Sequence, residues 1–492
     1  MQKTASYFKT NSKIYMIGIK GTGMCSFAEI LHHNGINVSG SDTSDVFYTD
    51  AILKELGIPY YEDFNALHVP CDADAIVYSA AYNETNPELA RANELNIPVL
   101  KYTDALGKYS ALFDSSAIAG VHGKTTTTAL TGTLLQALKL PCQVLAGSAV
   151  GNFGNTANGR CTLFLGNEYF VAETCEYRKH FLSFVPQRIV LTSIESDHQD
   201  YFPTYESIRD AFLEFVNKLP CGGELIYCAD NSGAQEAACE IKNTRKDILL
   251  TPYGFNANGN FKIKNCHIEN EHIFFELELF PGTVWKISVP GMHNVQNAAA
   301  AIALSYSLTK NKRGAFTESD VSAAAAALAA FKGSKRRQEV LGEVCDILFM
   351  DDYGHHPTAI KTTLRGLKDF YPKRRLVVSF MSHTYTRTAA LLDEFAGSFE
   401  SADVLLLHKI YASAREVYTG TVSGEKLFLK TKESSCAGKK IFFFEEPFSA
   451  FDMLKDFLQA GDLFVTIGAG DNWKLGRALY DNFCTNKGQN NL

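Results

Sequence analysis

Two glycine-rich turns carry the residues best suited to chemistry. Gly120-Val121-His122-Gly123-Lys124-Thr125-Thr126 follows an apolar run at 116–119 and precedes a Thr- and Leu-rich segment. At such a strand-to-helix turn, backbone N–H groups and a lysine amine face phosphate oxygens, and the Thr125 hydroxyl suits Mg²⁺. Ile118 stands where the common phosphate loop has its first glycine, so this is a shortened variant. Gly18-Ile19-Lys20-Gly21-Thr22-Gly23-Met24 is a second strand-to-helix turn. Glycines there let the backbone turn sharply and approach a pyrophosphate at a helix N-terminus. Asp42 follows Gly21 by 21 residues, where a ribose-binding acid would stand. The order Gly-x-x-Gly-x-Gly is not the usual dinucleotide one, and a plain tight turn is the alternative.

Acids and histidines at strand ends would complete a nucleotide site. Glu173 and Glu176 follow the run 169–172, and Glu195, Asp197 and His198 follow 189–194. Mg²⁺ takes carboxylates, phosphates and waters. Singly, each acid reads equally as a cap or a surface carboxylate; shared placement after neighbouring strands favours ligand roles for Glu173 and His198. His293, Asn294 and Asn297 lie at a helix start, where Asn294 suits an N-cap and the two amides also suit adenine or ribose. Arg336-Arg337 reads as a solvated charge pair. In Asp351-Asp352-Tyr353-Gly354-His355-His356-Pro357, two acids and two histidines end a strand, and Pro357 suits a first helical turn. Zinc is conceivable there, but no Cys/His spacing supports it. His383 and Arg387 follow the next strand, again at the carboxyl end where α/β sheets hold ligands.

The elements that must position these groups follow from pattern and length. A chain of 492 residues implies about three domains. Short apolar runs at 14–19, 36–39, 75–79 and 98–100 alternate with helical segments, as in a parallel sheet with crossovers. Further strands are expected at 116–119, 169–172, 189–194, 224–228 and 248–250, then at 347–350, 376–380, 404–407, 441–444 and 463–467. Between them, 261–289 alternates about a polar turn at Asn270-Glu271, a hairpin, and a long helix begins near Asn294.

Composition narrows the classes. Hydrophobic residues are 46% and charged residues 21%, the make-up of a folded globular chain. With 47 Lys and Arg against 54 Asp and Glu, the net charge of −7 argues against a general electrostatic nucleic-acid binder, which is normally basic. The apolar run from Ile14 stops at Lys20, too short for a signal peptide or a membrane span. Twelve cysteines without a Cys-x-x-Cys pair read as dispersed reduced thiols, and the expected compartment is the cytoplasm.

Taken in order, the motifs resemble those of the Mur ligases of peptidoglycan synthesis. The matching segments are Gly18 to Met24, Gly120 to Thr128, Glu173 to Glu176, Ile194 to His198, Pro290 to Asn297, Arg336-Arg337, Asp352 to Pro357, Ser382 to Thr388 and Gly468 to Lys474. Asp-Tyr-Gly-His-His-Pro points to the branch acting on muramate itself. The resemblance implies three α/β domains. Residues 1–108 form a Rossmann-like UDP-sugar domain, and 109–332 a P-loop ATPase-type domain with a parallel sheet and a small antiparallel hairpin region. Residues 333–492 form a Rossmann-like amino-acid domain.

The implied reaction is ATP-dependent: L-alanine joins the lactyl carboxylate of UDP-N-acetylmuramate through an acyl phosphate, releasing ADP and phosphate. Gly120, His122, Gly123, Lys124, Thr125, Thr126, Asn294, Asn297, Arg337 and Asp352 would bind ATP. Thr125, Glu173 and His198 would hold Mg²⁺, with Mn²⁺ as a substitute. Lys124, His198, Arg337 and Asp352 would act in catalysis, the last two reaching from the third domain as the domains close. Gly18, Gly21, Gly23, Met24, Asp42, Ser79, Tyr353, His355, His356, His383 and Arg387 would face substrate. A monomer or weak homodimer is expected, with no nucleic-acid or membrane partner. Several positions depart from the family pattern. Lys20 and Met292 stand for glycine and arginine, Cys175 for aspartate, Gln338 for an aromatic, and Thr384 for an arginine that anchors substrate. Arg209, with no lysine near it in 205–212, implies no lysine carbamate. Rival readings are a ligase that adds a tripeptide to the same sugar nucleotide, a nicotinamide-dependent oxidoreductase, and a non-catalytic nucleotide-binding relative.

Overall fold

The computed structural model describes residues 7–154, 159–412 and 420–489. The chain is a three-domain α/β protein whose parts fall into two compact units. Residues to Ile194, Arg209–Lys262 and Ala298–Ala327 form the first; Glu195–Ile208, Ile263–Asn297 and residues from Leu328 form the second.

In the first unit, β1 (Lys13–Ile17), β2 (Asn37–Ser41), β3 (Tyr60–Tyr61), β4 (Ala75–Tyr78) and β5 (Val99–Lys101) make a parallel sheet in the order 3-2-1-4-5. Helices α1 (Thr22–His33), α2 (Thr49–Glu55), α3 (Pro87–Glu94) and α4 (Tyr102–Ser110) connect it. Winding reverses between β1 and β4, which opens a crevice where β1 runs into the first glycine turn.

Chain continuity leads to β6 (Asp114–Ala119), α5 (Lys124–Ala137), β7 (Cys142–Val150), β8 (Arg160–Phe164), β9 (Tyr169–Glu173), β10 (Arg188–Leu191), α6 (Tyr205–Val216), β11 (Glu224–Cys228), α7 (Ser232–Thr244) and β12 (Leu249–Gly254). These strands lie in the order β12-β11-β10-β6-β9-β7-β8, parallel except for β8. Apart from the partly exposed β12, their apolar runs are buried on both faces, so they read as continuous hydrophobic segments. Buried Arg160 on β8 donates from Nη1 to Glu29 Oε1 on α1 at 2.9 Å, tying the two sheets' layers together.

In the second unit, β13 (Phe261–Glu269), β14 (His272–Leu277) and β15 (Trp285–Ile287) form an antiparallel ladder. Asn270 and Glu271 turn it with φ of +48° and +56°, the left-handed pair a two-residue hairpin requires. After α8 (Met292–Arg313) and α9 (Glu318–Ala329) come β16 (Glu339–Val344), β17 (Ile347–Asp352), α10 (Pro357–Phe370), β18 (Arg375–Phe380), α11 (Tyr385–Ala390), α12 (Leu392–Ala396), β19 (Val404–Leu407), α13 (Gly424–Lys432), β20 (Lys440–Phe443), α14 (Phe451–Phe457), β21 (Asp462–Ile467) and α15 (Trp473–Gln489). The sheet order is β16-β17-β21-β18-β19-β20, parallel except for β16.

Three details correct the sequence expectations. β1 ends at Ile17, because Gly18 turns away with φ +84°. β10 ends at Leu191, because the next residues bond the phosphate turn: Val121 N donates to Ser193 O at 3.1 Å. Strands β3, β7, β8 and β16 were not expected. β3 is two residues long, and β16 is a half-exposed edge strand with a register shift at Val340/Gly342, so neither offers a sustained apolar run. Among the described residues no helix is long and apolar enough to cross a membrane.

Candidate active site

The phosphate turn joins β6 to α5. Gly120 has φ +137°, and a methyl group there would lie 2.1 Å from Thr192 Oγ1, so glycine is required for the approach to β10. Gly123, at φ +81°, caps α5, whose first residue is Lys124. Lys124 Nζ donates to Glu176 Oε2 at 2.8 Å and to the Gly120 carbonyl. Burial alone would depress this amine; the Glu176 charge outweighs it and holds the pKa above its ordinary value, so the lysine is cationic. His122 N donates to Ser193 Oγ at 2.9 Å, and Thr125 is buried in the first turn of α5.

Glu173 ends β9 in the same unit. Its Oε2 is buried without a hydrogen-bond partner among the described residues. A methyl group at Gly147 would lie 1.8 Å from its Oε1, so the carboxylate is pressed against the β7 backbone. An uncompensated buried carboxylate oxygen is costly by itself, and it is the hard anionic donor Mg²⁺ takes. Glu173 therefore fits the divalent ion that its position after β9 implied.

The first glycine turn is occupied by the protein's own tyrosines. A methyl group on Gly18 would lie 2.6 Å from Tyr82 Cε2, and one on Gly23 2.9 Å from Tyr102 Oη. Gly21, the N-cap of α1, would meet only Gly18 O at 3.5 Å and so faces open space. Asp42 accepts from Lys20 N at 2.7 Å, Thr43 N at 2.8 Å and Tyr82 Oη at 3.1 Å, closing the turn. Met24 points into the core, and Ser79 Oγ accepts from Ala81 N at 3.4 Å. Lys20 turns inward: its buried amine donates to Thr43 O at 2.9 Å, Asp45 O at 3.1 Å and Glu62 Oε1 at 3.1 Å, with Asp50 Oδ1 at 3.2 Å.

The second unit holds the remaining residues. Asn294 is the third residue of α8 rather than its cap; Nδ2 donates to Pro290 O at 2.6 Å and Gln338 Oε1 at 3.0 Å. Asn297 Nδ2 donates to Asn294 Oδ1 at 3.1 Å. Asp352 accepts from Gln338 N at 2.9 Å and Gly354 N at 2.6 Å; burial raises its carboxyl, opposed by Arg337. Both Arg336 and Arg337 lie over the Tyr353 ring, at 5.0 and 5.2 Å. Arg336 is no solvated charge, since it donates to Asp351 Oδ2 at 2.9 Å and Gly468 O at 2.7 Å.

Arg387 and Asp197 form a buried ion pair, and the positive-φ backbone at His198 lets its N–H donate to Asp197 Oδ1 at 2.7 Å. Burial would raise the Asp197 carboxyl, but the Arg387 guanidinium beside it holds it well below the usual range. His355 is driven well down by burial and by Arg387, so it is neutral. His356 caps α10: Nδ1 accepts from Thr358 N at 3.3 Å, which leaves Nε2–H to donate to Ser196 O at 3.2 Å. The rings of His355 and His383 are 6.4 Å apart, and His383 stacks on Tyr411 at 6.0 Å. Sequence reasoning had not paired Lys124 with Glu176 or Arg387 with Asp197, and it missed Tyr82 and Tyr102. Nothing in local spacing marks either tyrosine.

A phosphate turn on a parallel sheet, a carboxylate at the neighbouring strand end and a Rossmann-like sheet with its own glycine turn define a multidomain α/β nucleotide-dependent enzyme class. Family profiles agree domain by domain: Mur ligase family, catalytic domain, over residues 13–114; Mur ligase middle domain over 118–305; and Mur ligase, glutamate ligase domain, over 336–470. The chain belongs to the Mur ligase family. It is 51% identical over 472 residues to the UDP-N-acetylmuramate–L-alanine ligase of Treponema pallidum, covering 96% of each chain. Among solved structures, the UDP-N-acetylmuramate–alanine ligase of Thermotoga maritima shares its fold with a TM-score of 0.73 at 24% identity, covering 96% of this chain and 99% of that one. A murein peptide ligase of Psychrobacter arcticus does so at 0.63 and 23%, with the same coverage.

Proposed function

We propose that this chain joins L-alanine to the lactyl carboxylate of UDP-N-acetylmuramate at the expense of ATP, in peptidoglycan precursor synthesis. What carries the reading is the 51% identity to the Treponema pallidum ligase over nearly the whole of both chains. The phosphate turn supports it chemically. A carboxylate attacking a γ-phosphate brings like charges together, and cations must screen them. Cationic Lys124 exchanges Glu176 for the β/γ-phosphates, while the backbone N–H groups of the turn cradle them. Thr125 and Glu173 would hold Mg²⁺, which supplies charge neutralisation at the transferring phosphoryl group. The lactyl oxygen bonds to γ-phosphorus as the bond to ADP breaks. The alanine nitrogen then attacks the acyl carbon, and phosphate leaves.

In the second unit, Asn294, Asn297, Arg337 and Asp352 would serve the nucleotide, and His198 would hold a second divalent ion that adds charge neutralisation. Tyr353, His355, His356, His383 and Arg387 line the amino-acid side. Gly21, the open glycine at the α1 N-terminus, faces the UDP diphosphate, and Asp42 and Tyr82 keep that turn in shape. Domain limits at 108/109 and 332/333 follow from this division of labour. Twelve free cysteines support a reducing compartment, the cytoplasm, where ATP is available.

A peptide acceptor is the second reading, favoured by the structural likeness to the Psychrobacter arcticus enzyme. An acceptor screen with coupled phosphate release tests both: ATP, Mg²⁺ and UDP-N-acetylmuramate are supplied with L-alanine, glycine, L-serine or the tripeptide. Phosphate release with L-alanine supports the first reading. Release with the tripeptide alone replaces it, and silence with every acceptor removes both.

A further inference from the structure

The contact between Gly23 and Tyr102 has no role in the site so far described. Tyr102 is the first residue of α4, at the carboxyl end of β5, and its phenol packs against the first turn of α1. A methyl group on Gly23 would lie 2.9 Å from its Oη, 3.1 Å from Cζ and 3.3 Å from Cε1. Gly23 is the second residue of α1, and any side chain there would collide with that ring. Phe27, one turn further along α1, holds the ring edge-on with centroids 6.2 Å apart. The ring is thus fixed in place, yet its hydroxyl makes no hydrogen bond among the described residues. Tyr82, the companion on Gly18, differs here, since its hydroxyl is bonded to Asp42.

The surroundings say what the free hydroxyl is near. On one side is the first turn of α1, beside the open Gly21. On the other is the ATP-binding layer of the same unit: burial and then the negative charge of Glu173 push the Tyr102 phenol above its usual range. A sugar nucleotide with its diphosphate at Gly21 has Tyr102 beside it, because the phenol packs on Gly23 two residues along α1.

We propose that Tyr102 is a substrate-positioning residue, whose hydroxyl donates a hydrogen bond to an oxygen of the N-acetylmuramoyl portion of the sugar nucleotide, between the diphosphate and the lactyl carboxylate. The inference rests on the proposed substrate. It assigns the rigid, unengaged phenol the task of fixing the sugar's angle as it leaves the diphosphate site, so that the carboxylate arrives aligned with the γ-phosphate.

The experiment is calorimetric binding of UDP-N-acetylmuramate and of UDP alone, without ATP, to the full-length protein and to Tyr102→Phe, with melting temperatures and steady-state constants alongside. A lost neutral hydrogen bond corresponds to roughly 3- to 10-fold weaker binding. Tyr102→Phe is expected to weaken UDP-N-acetylmuramate by that factor and raise its KM. UDP binding, the KM for ATP and the melting temperature should stay as in the parent protein. Gly23→Ala, which displaces the phenol, should weaken the sugar nucleotide too, and should add nothing in a Tyr102→Ala background. Unchanged binding in Tyr102→Phe, or an equal loss for UDP and UDP-N-acetylmuramate, would overturn the role. If the parent protein binds UDP but not UDP-N-acetylmuramate, the substrate reading itself fails and this inference falls with it.

Discussion

Arg387 donates two hydrogen bonds to one oxygen of Asp197, from Nε at 3.0 Å and from Nη2 at 2.9 Å, and neither side chain is more than 7% exposed. The pair joins α11 to the segment after β10 within the second unit. Breaking one partner of a buried pair leaves an uncompensated charge, which costs about 3–5 kcal/mol. Arg387→Ala should therefore lower the unfolding midpoint markedly, and adding Asp197→Ala should recover part of the loss. A single variant that melts like the parent protein would show that the pair stabilises nothing. The Asp197 carboxyl is held below its ordinary value, so its contribution is complete above the unfolded carboxylate pKa. It is lost only as pH falls through the lower folded value.

The phosphate turn makes a separate prediction. Lys124→Ala removes the cation beside Glu176 and should reduce phosphate release by at least 10²- to 10³-fold, the scale for loss of one preorganised charge donor. Binding of UDP-N-acetylmuramate should survive, because the glycine turn at Gly21 is a different part of the unit. Retained turnover in this variant would remove Lys124 from the reaction.

Glu173 can be tested through its neighbour. Gly147→Ala places a methyl group where the Glu173 carboxylate now lies, 1.8 Å from Oε1, while leaving the acid itself in the chain. Displacing a ligand in this way should weaken divalent-ion binding about 10- to 100-fold, the range found when support of a ligand is lost. A Mn²⁺ titration followed by electron paramagnetic resonance reads this without turnover; an unchanged affinity would dissociate Glu173 from the metal.

His408 lies buried just past the end of β19, between Ser379 and the Phe444 carbonyl. Nδ1–H donates to Phe444 O at 2.9 Å, so Nε2 accepts the Ser379 hydroxyl at 2.9 Å. Burial lowers its pKa from 6.5 to about 4. A histidine kept neutral when folded contributes stability that is intact above pH 6.5 and is lost as pH falls toward 4, up to about 3 kcal/mol. Denaturant midpoints at pH 7 and pH 4.5 should converge in His408→Gln compared with the parent protein. An acid loss of equal size in both would show that another group is responsible.

The sequence by itself determined the class of fold, the number of domains and the order of the motifs. Those properties are local: apolar runs buried on both faces read as parallel strands, and Gly-Lys-Thr must turn from a strand into a helix to be useful. It also put Glu173 at a strand end, since a charge after four apolar residues marks where β9 leaves the core. Tertiary structure alone decided which charges meet. Lys124 finds Glu176 52 residues away and Arg387 finds Asp197 190 residues away, distances over which no periodicity carries information. It also added a second task for the first glycine turn. Gly18 and Gly23 read as space for a pyrophosphate, and they also make room for Tyr82 and Tyr102, brought there by β4 and β5; Lys20, in the same turn, is drawn inward by Glu62 and Asp50. Glycine in a sequence reports that something approaches the backbone closely, and only packing in three dimensions says what.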